Sequence, residues 1–223
     1  MRRRKRESPD DVVAESQRLL RDASDEGKRA RRALTEQAVA QFPKHALIRL
    51  EYASAMSHFD KDRAAAVALG AVALDTTTDV VLLTRAAMLL LSLGELAATR
   101  SCIDQAVLTQ PANPVIVNQL AVVRGELALA EGDYESWERC LKAAHDRYPA
   151  DATYALRLAD AIIVNSEGAR LPDALAVIEH ALEAEPSEDA ESRESRADLE
   201  RQRERYRAVL SEATGRRGTG PVR

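Results

Sequence analysis

LGELAATRSCIDQAVLTQPAN (residues 93–113) and EGDYESWERCLKAAHDRYPAD (residues 131–151) carry one skeleton. Each has a glycine at its second position followed by an acid, continues through about a dozen helix formers, and places an alanine five residues before a proline. The glycine supplies a left-handed turn that other residues resist. The proline lacks an N–H and stops the helix. A small alanine lets two helices approach closely. The skeleton therefore describes the second half of a helix hairpin.

The same punctuation recurs outward in both directions. Helix stops fall at Pro43, Thr76, Pro111, Pro149 and Pro186, at intervals of 33, 35, 38 and 37 residues. Five residues before each stop stand Ala38, Ala71, Ala106, Ala144 and Ala181, and seven before those Arg31, Ala64, Thr99, Trp137 and Ala174. Self-similarity at this period marks stacked repeats, because one hairpin cannot bury its apolar face alone.

On Leu93-Gly94-Glu95, Ala106 and Pro111 in one unit, and Gly132-Asp133-Tyr134, Ala144 and Pro149 in the next, the chain resembles the tetratricopeptide repeat (TPR) family. The best units are 80–113 and 114–151, with weaker ones at 44–78 and 152–186, and the resemblance covers roughly 9–186. It departs at the early first-helix positions, which hold no Trp or Tyr, and at Thr76, which replaces a proline. The fourth unit has about one extra helical turn, and the fifth has a longer turn, NSEGARLPD. The resemblance implies an all-α, right-handed α-solenoid of about five antiparallel helix pairs plus a C-terminal capping helix. It further implies a non-catalytic protein-interaction scaffold or adaptor, with the first helices lining a concave groove for a protein or peptide segment.

Residue periodicity places a first helix after Ser8-Pro9-Asp10, where Ser8 caps and Pro9 suits the first turn. Its partner covers 28–41, with SDEG between them. Later pairs fall at 45–58 with 61–74, 79–92 with 95–109, 114–130 with 134–147, and 151–165 with 172–185. Residues 187–213 form a charged helix with a thin apolar stripe of Leu199, Tyr206 and Leu210. It reads either as a solubilising cap or as a coiled-coil contact. Residues 1–8 and 214–223 read as basic tails.

Composition agrees with a helical body: aromatics are 4% and hydrophobic residues 45%. The net charge of -4 hides an asymmetry. Arg2, Arg3, Arg4, Lys5, Arg6, Arg216, Arg217 and Arg223 sit at the ends, leaving 24 basic against 36 acidic residues between them. Such a body repels phosphate backbones. The RRRKR run stays open to three readings: a solvated tail, attachment to nucleic acid or an anionic surface, or folding back on the acidic body. The longest apolar stretch, VVLLTRAAMLLLSLG, is broken at Thr84 and Arg85, so no membrane span is expected. SPDD follows the basic start where a signal peptide would be apolar. Cys102 and Cys140 share one repeat position, about 10 Å apart on neighbouring units, too far for a disulfide. These features suggest a cytoplasmic protein.

No acid–His–nucleophile pattern surrounds His45, His58, His145 or His180, and there is no GxSxG, HExxH or phosphate loop. No catalytic residue, metal site or cofactor is expected. The functional candidates lie on the first helix of each pair. Arg49, Arg85, Gln119 and Arg157 occupy one repeat-equivalent position, each next to a core residue (Leu50, Ala86, Leu120, Leu158). Beside them, Tyr52, Met88, Val122 and Asp160 form a second, largely apolar column. If these columns face the groove, they suit an acidic, amphipathic protein partner. The alternative is that the arginines bond neighbouring acids of their own chain. The family's carboxylate clamp is not assembled, since the corresponding helices show Thr84, Met88, Asn118 and Val122. Two further functions remain open: a nucleic-acid-associated regulator using the basic tails, and a regulatory subunit of a separate enzyme.

Overall fold

The computed structural model describes residues 8–75, 79–183 and 190–217. The expectations for Arg2 to Arg6, Thr76 and Pro186 lie outside these residues. Eleven helices occur among the described residues, and no strand. The chain divides into two compact units, residues 1–123 and 124–223, with the boundary inside one helix, α7 (Pro114–Ala130).

The first unit contains α1 (Pro9–Leu20), α2 (Asp25–Gln41), α3 (Ala46–Met56), α4 (Lys61–Leu74), α5 (Val80–Ser92), α6 (Leu96–Leu108) and the start of α7. Each helix packs on the next through α3, α3 forms the tightest pair with α4, and α5 pairs with α6. Helix α3 also touches α1 and α5, which makes it the centre of the unit. The second unit holds the rest of α7 with α8 (Tyr134–Arg147), α9 (Ala152–Asn165), α10 (Leu171–Glu183) and α11 (Ala190–Arg217). There α9 packs on both α8 and α10, and α11 lies on α9 and α10.

Short polar side chains start these helices. Ser8 makes a reciprocal capping box with Asp11, and Asp60, Asp79, Asp133 and Asp151 each accept from backbone N–H groups in the first turn. Part of the acidity of the body is therefore used at helix N-termini, where it also complements the helix dipole. Helix α2 begins at Asp25 rather than at residue 28. Ser24 Oγ accepts from the Gly27 N–H at 3.0 Å, so the stretch expected to be linker is a cap followed by an acidic first turn. Helix α11 likewise continues to Arg217, beyond the expected end at 213, so the start of the expected tail is helical.

The repeat alanines carry the packing. Ala38, Ala71, Ala106, Ala144 and Ala181 are all buried, as are Arg31, Ala64, Thr99, Trp137 and Ala174 seven residues earlier. Gly94 and Gly132 have φ of +85° and +78° at the hairpin reversals. The longer reversal of the last hairpin uses two left-handed residues, Glu167 at +50° and Gly168 at +84°. In the second unit, Leu199 and Tyr206 of α11 enter a core with Leu158, Ile162, Ile178 and Ala181. That burial explains the thin stripe on an otherwise charged helix. It caps the last hairpin. Among the described residues, no helix is long and apolar enough to cross a membrane.

Candidate functional site

The centre of the first unit is polar. Glu51 on α3 is 1% exposed, yet it is ionic and fully engaged. Its carboxylate accepts from Ser16 Oγ at 2.7 Å, Gln17 Nε2 at 2.7 Å and Arg31 Nη2 at 3.0 Å, and it pairs with Arg85 Nη2. Arg31, 3% exposed, also donates through Nε to Ser16 Oγ at 3.0 Å and through Nη2 to Ser54 Oγ at 3.1 Å. One carboxylate thus joins α1, α2, α3 and α5. A buried ion survives only with such complete pairing.

Neither Glu51 nor Arg31 is among the sequence candidates, although both break a repeat column. Arg31 stands where the other units have Ala64, Thr99, Trp137 and Ala174, and Glu51 stands in register with Ala87 and Ala159. Opposite charges in two core columns of adjacent helices are a pairing signal. The repeat comparison contains it.

Arg85 is 29% exposed and rests on Glu51 through Nη2. Met88, one turn on, is 49% exposed. Arg49 is half-buried and reaches back to the end of the preceding repeat, donating through Nε to the Pro43 carbonyl at 2.7 Å. Gln119 and Val122 are half-buried on α7. In the second unit, Arg157 Nη1 donates to Glu126 Oε1 at 3.0 Å. Asp160 receives the Tyr206 hydroxyl at 3.5 Å, and desolvation beside α11 raises its carboxyl above the usual range despite that bond. Bonding to acids of the same chain, the second of the two readings, is therefore present at Arg85 and Arg157, while Arg49 bonds a backbone carbonyl instead. Tyr52 departs from expectation. It is 5% exposed and packs with Met56 and Ala64.

The histidines and cysteines hold no shared chemistry. His145 is buried, edge-on to His180 at 6.3 Å, and burial lowers its pKa. Cys102 is a buried thiol whose pKa burial raises, and Cys140 is half-buried against Gly125. Among the described residues, no group of three or more His, Cys, Asp or Glu side chains could hold a metal ion.

Comparison with solved structures identifies the architecture. The chain is similar to PilW, a type IV pilus biogenesis factor, at 18% identity and TM-score 0.63, covering 90% of this chain and 91% of that one. It is similar to Pseudomonas aeruginosa PilF at 13% identity and TM-score 0.62, covering 91% and 96%. MamA from Desulfovibrio magneticus RS-1 follows at 16% identity and TM-score 0.57, covering 77% and 92%. No family model and no curated protein sequence matches the chain. The fold is a TPR-like helical-hairpin array.

Proposed function

We propose that this protein is a non-catalytic interaction scaffold whose first helices bind an acidic, amphipathic segment of a partner protein, with Arg85 and Met88 as the principal contacts. The observation that supports this reading is the pairing on α5 of a held guanidinium with an exposed thioether. Glu51 holds the partly exposed Arg85, so little side-chain freedom remains to be lost when a carboxylate docks on its remaining donors. Met88 offers adaptable apolar area one turn away. An acidic residue spaced one turn from an apolar one on a partner helix matches both.

The partner is obtained by affinity capture on the full chain, and its affinity is then measured for Arg85→Gln and Met88→Glu. Glutamine at 85 avoids setting a like charge against buried Glu51. Loss of one charge-assisted contact, about 1.5–3 kcal/mol, weakens binding roughly 10- to 100-fold. Raising the salt concentration weakens the parent more than Arg85→Gln. Unchanged affinity in both folded variants moves the partner to another surface.

A further inference from the structure

Arg31 does not spend all its donors. Nε and Nη2 are bonded, but Nη1 is buried and donates to nothing. Two guanidiniums, Arg31 and Arg85, also share the single carboxylate of Glu51, so the cluster carries one positive charge in excess. Arg85 reaches solvent, whereas Arg31 is 3% exposed. The bonded network therefore leaves Nη1 of the desolvated guanidinium, Arg31, without an acceptor.

A cavity of about 170 Å³ is lined in part by Arg31. Leu19, Leu20 and Ala55 give it an apolar wall, while Arg31, Lys28 and His58 bring basic nitrogen to it. Asp22 is the one carboxylate on its lining, and it is already engaged, accepting from the Ser24 N–H at 3.0 Å. Lys28 has only a distant, largely exposed counter-ion, Asp25 at 3.7 Å. The volume is well below that of a cofactor or drug-sized site.

We propose that this cavity between α1, α2 and α3 is a binding site for a carboxylate carrying a short hydrocarbon chain, with Arg31 Nη1 as the buried donor. A carboxylate completes the unspent donor and neutralises the excess charge, and its chain lies on Leu19, Leu20 and Ala55. A phosphate dianion fits less well, because Asp22 repels the second charge and the apolar wall offers it no donors. The same chemistry has two sources, a free short-chain carboxylate and a glutamate side chain of another protein. The site is separate from the Arg85–Met88 face, and its test does not depend on that reading.

The experiment follows the ¹⁵N and ¹H guanidinium resonances of Arg31 in the full chain. They are assigned by their loss in Arg31→Lys. Butyrate, and in parallel N-acetylglutamate amide, is titrated at constant ionic strength with chloride as the balancing ion. Saturable shifts in the millimolar range are expected for such small ligands. Lys28→Met should weaken binding severalfold. Ala55→Leu, which fills the apolar wall, should abolish it. Lys28 lies at the surface, so its variant tests the site even if Ala55→Leu does not fold. Tighter binding of butyrate assigns the site to a free carboxylate, and tighter binding of the glutamate amide assigns it to a side chain. Shifts no larger than those of chloride, or saturable shifts that folded Lys28→Met leaves unaltered, overturn the proposal.

Discussion

Replacing Glu51 by alanine tests the buried cluster most directly. The carboxylate is 1% exposed and accepts from Ser16, Gln17, Arg31 and Arg85. Four bonds to a charged group, at about 1.5–3 kcal/mol each, give roughly 6–12 kcal/mol gross. Burying the carboxylate itself costs several kcal/mol, which offsets much of that sum. Removing it also strands Arg31 with a charge that neither water nor protein compensates. The expected loss is about 3–5 kcal/mol, the range found when one partner of a buried pair is deleted. Against a total stability of about 5–15 kcal/mol, that is enough to open the unit locally. Urea unfolding followed by far-UV circular dichroism measures the loss, and native-state hydrogen exchange locates it in α1, α2 and α3. The companion variant Arg31→Met with Glu51→Leu removes both charges and should recover most of the loss, because well-packed apolar replacements of a buried pair are neutral or stabilising. A cost below about 1 kcal/mol for Glu51→Ala would refute the reasoning, since only a solvated pair is that weak.

Three further outcomes follow from the packing. Ala106→Leu or Ala144→Leu, both at positions with 0% exposure, should lower stability by about 1–3 kcal/mol through overpacking, read as a fall in the thermal midpoint. Leu199→Ala should cost about 2–5 kcal/mol in the second unit, because this 2% exposed side chain seats α11 on the last hairpin. An exposed helix would tolerate it. His145 has a folded-state pKa below its unfolded value, so its contribution is present at neutral pH and is lost as pH falls below the ordinary histidine range. Between pH 7 and 5, the parent midpoint should therefore fall more than that of His145→Gln. Equal falls would show that another group governs the acid response.

Much of the architecture was legible because the repeat samples one contact five times. Five alanines at fixed distance from five stops named the tight helix contacts, and each is buried. Periodicity is less informative at the edge of a buried stripe. Tyr52 is buried while Met88, its repeat equivalent, stays outside, so equal register does not fix equal burial. Side-chain reach is not periodic either. Nothing in the spacing of Arg49 and Arg157 says that one bends back to the Pro43 carbonyl and the other to Glu126. The Arg31–Glu51 pair was legible in principle, as two charges in columns of small or apolar residues. Both residues depart from the repeat pattern, and a recurrence marks only where the units agree.

The hairpin reversals bear on how the chain folds. After α5 the Glu95 N–H returns to the Leu90 carbonyl at 2.9 Å, and after α7 the Asp133 N–H returns to Ala128 at 2.8 Å. After α9 the Gly168 N–H returns to Ile163 at 2.8 Å. Each is a backbone bond spanning five residues, the Schellman closure of a helix end. It needs no side chain from elsewhere in the chain. A hairpin can therefore turn before its neighbours exist, and only short loops must be closed to bring its two helices together. Chains built from such local contacts have low contact order and fold in microseconds to milliseconds. The Glu51 cluster is different in kind, because Ser16 and Arg85 meet it from 35 and 34 residues away. The hairpins can therefore close before the Glu51 cluster assembles, and the expected consequence is a slower last phase in the refolding of the first unit, read by stopped-flow circular dichroism. Removing both charges together should shorten it.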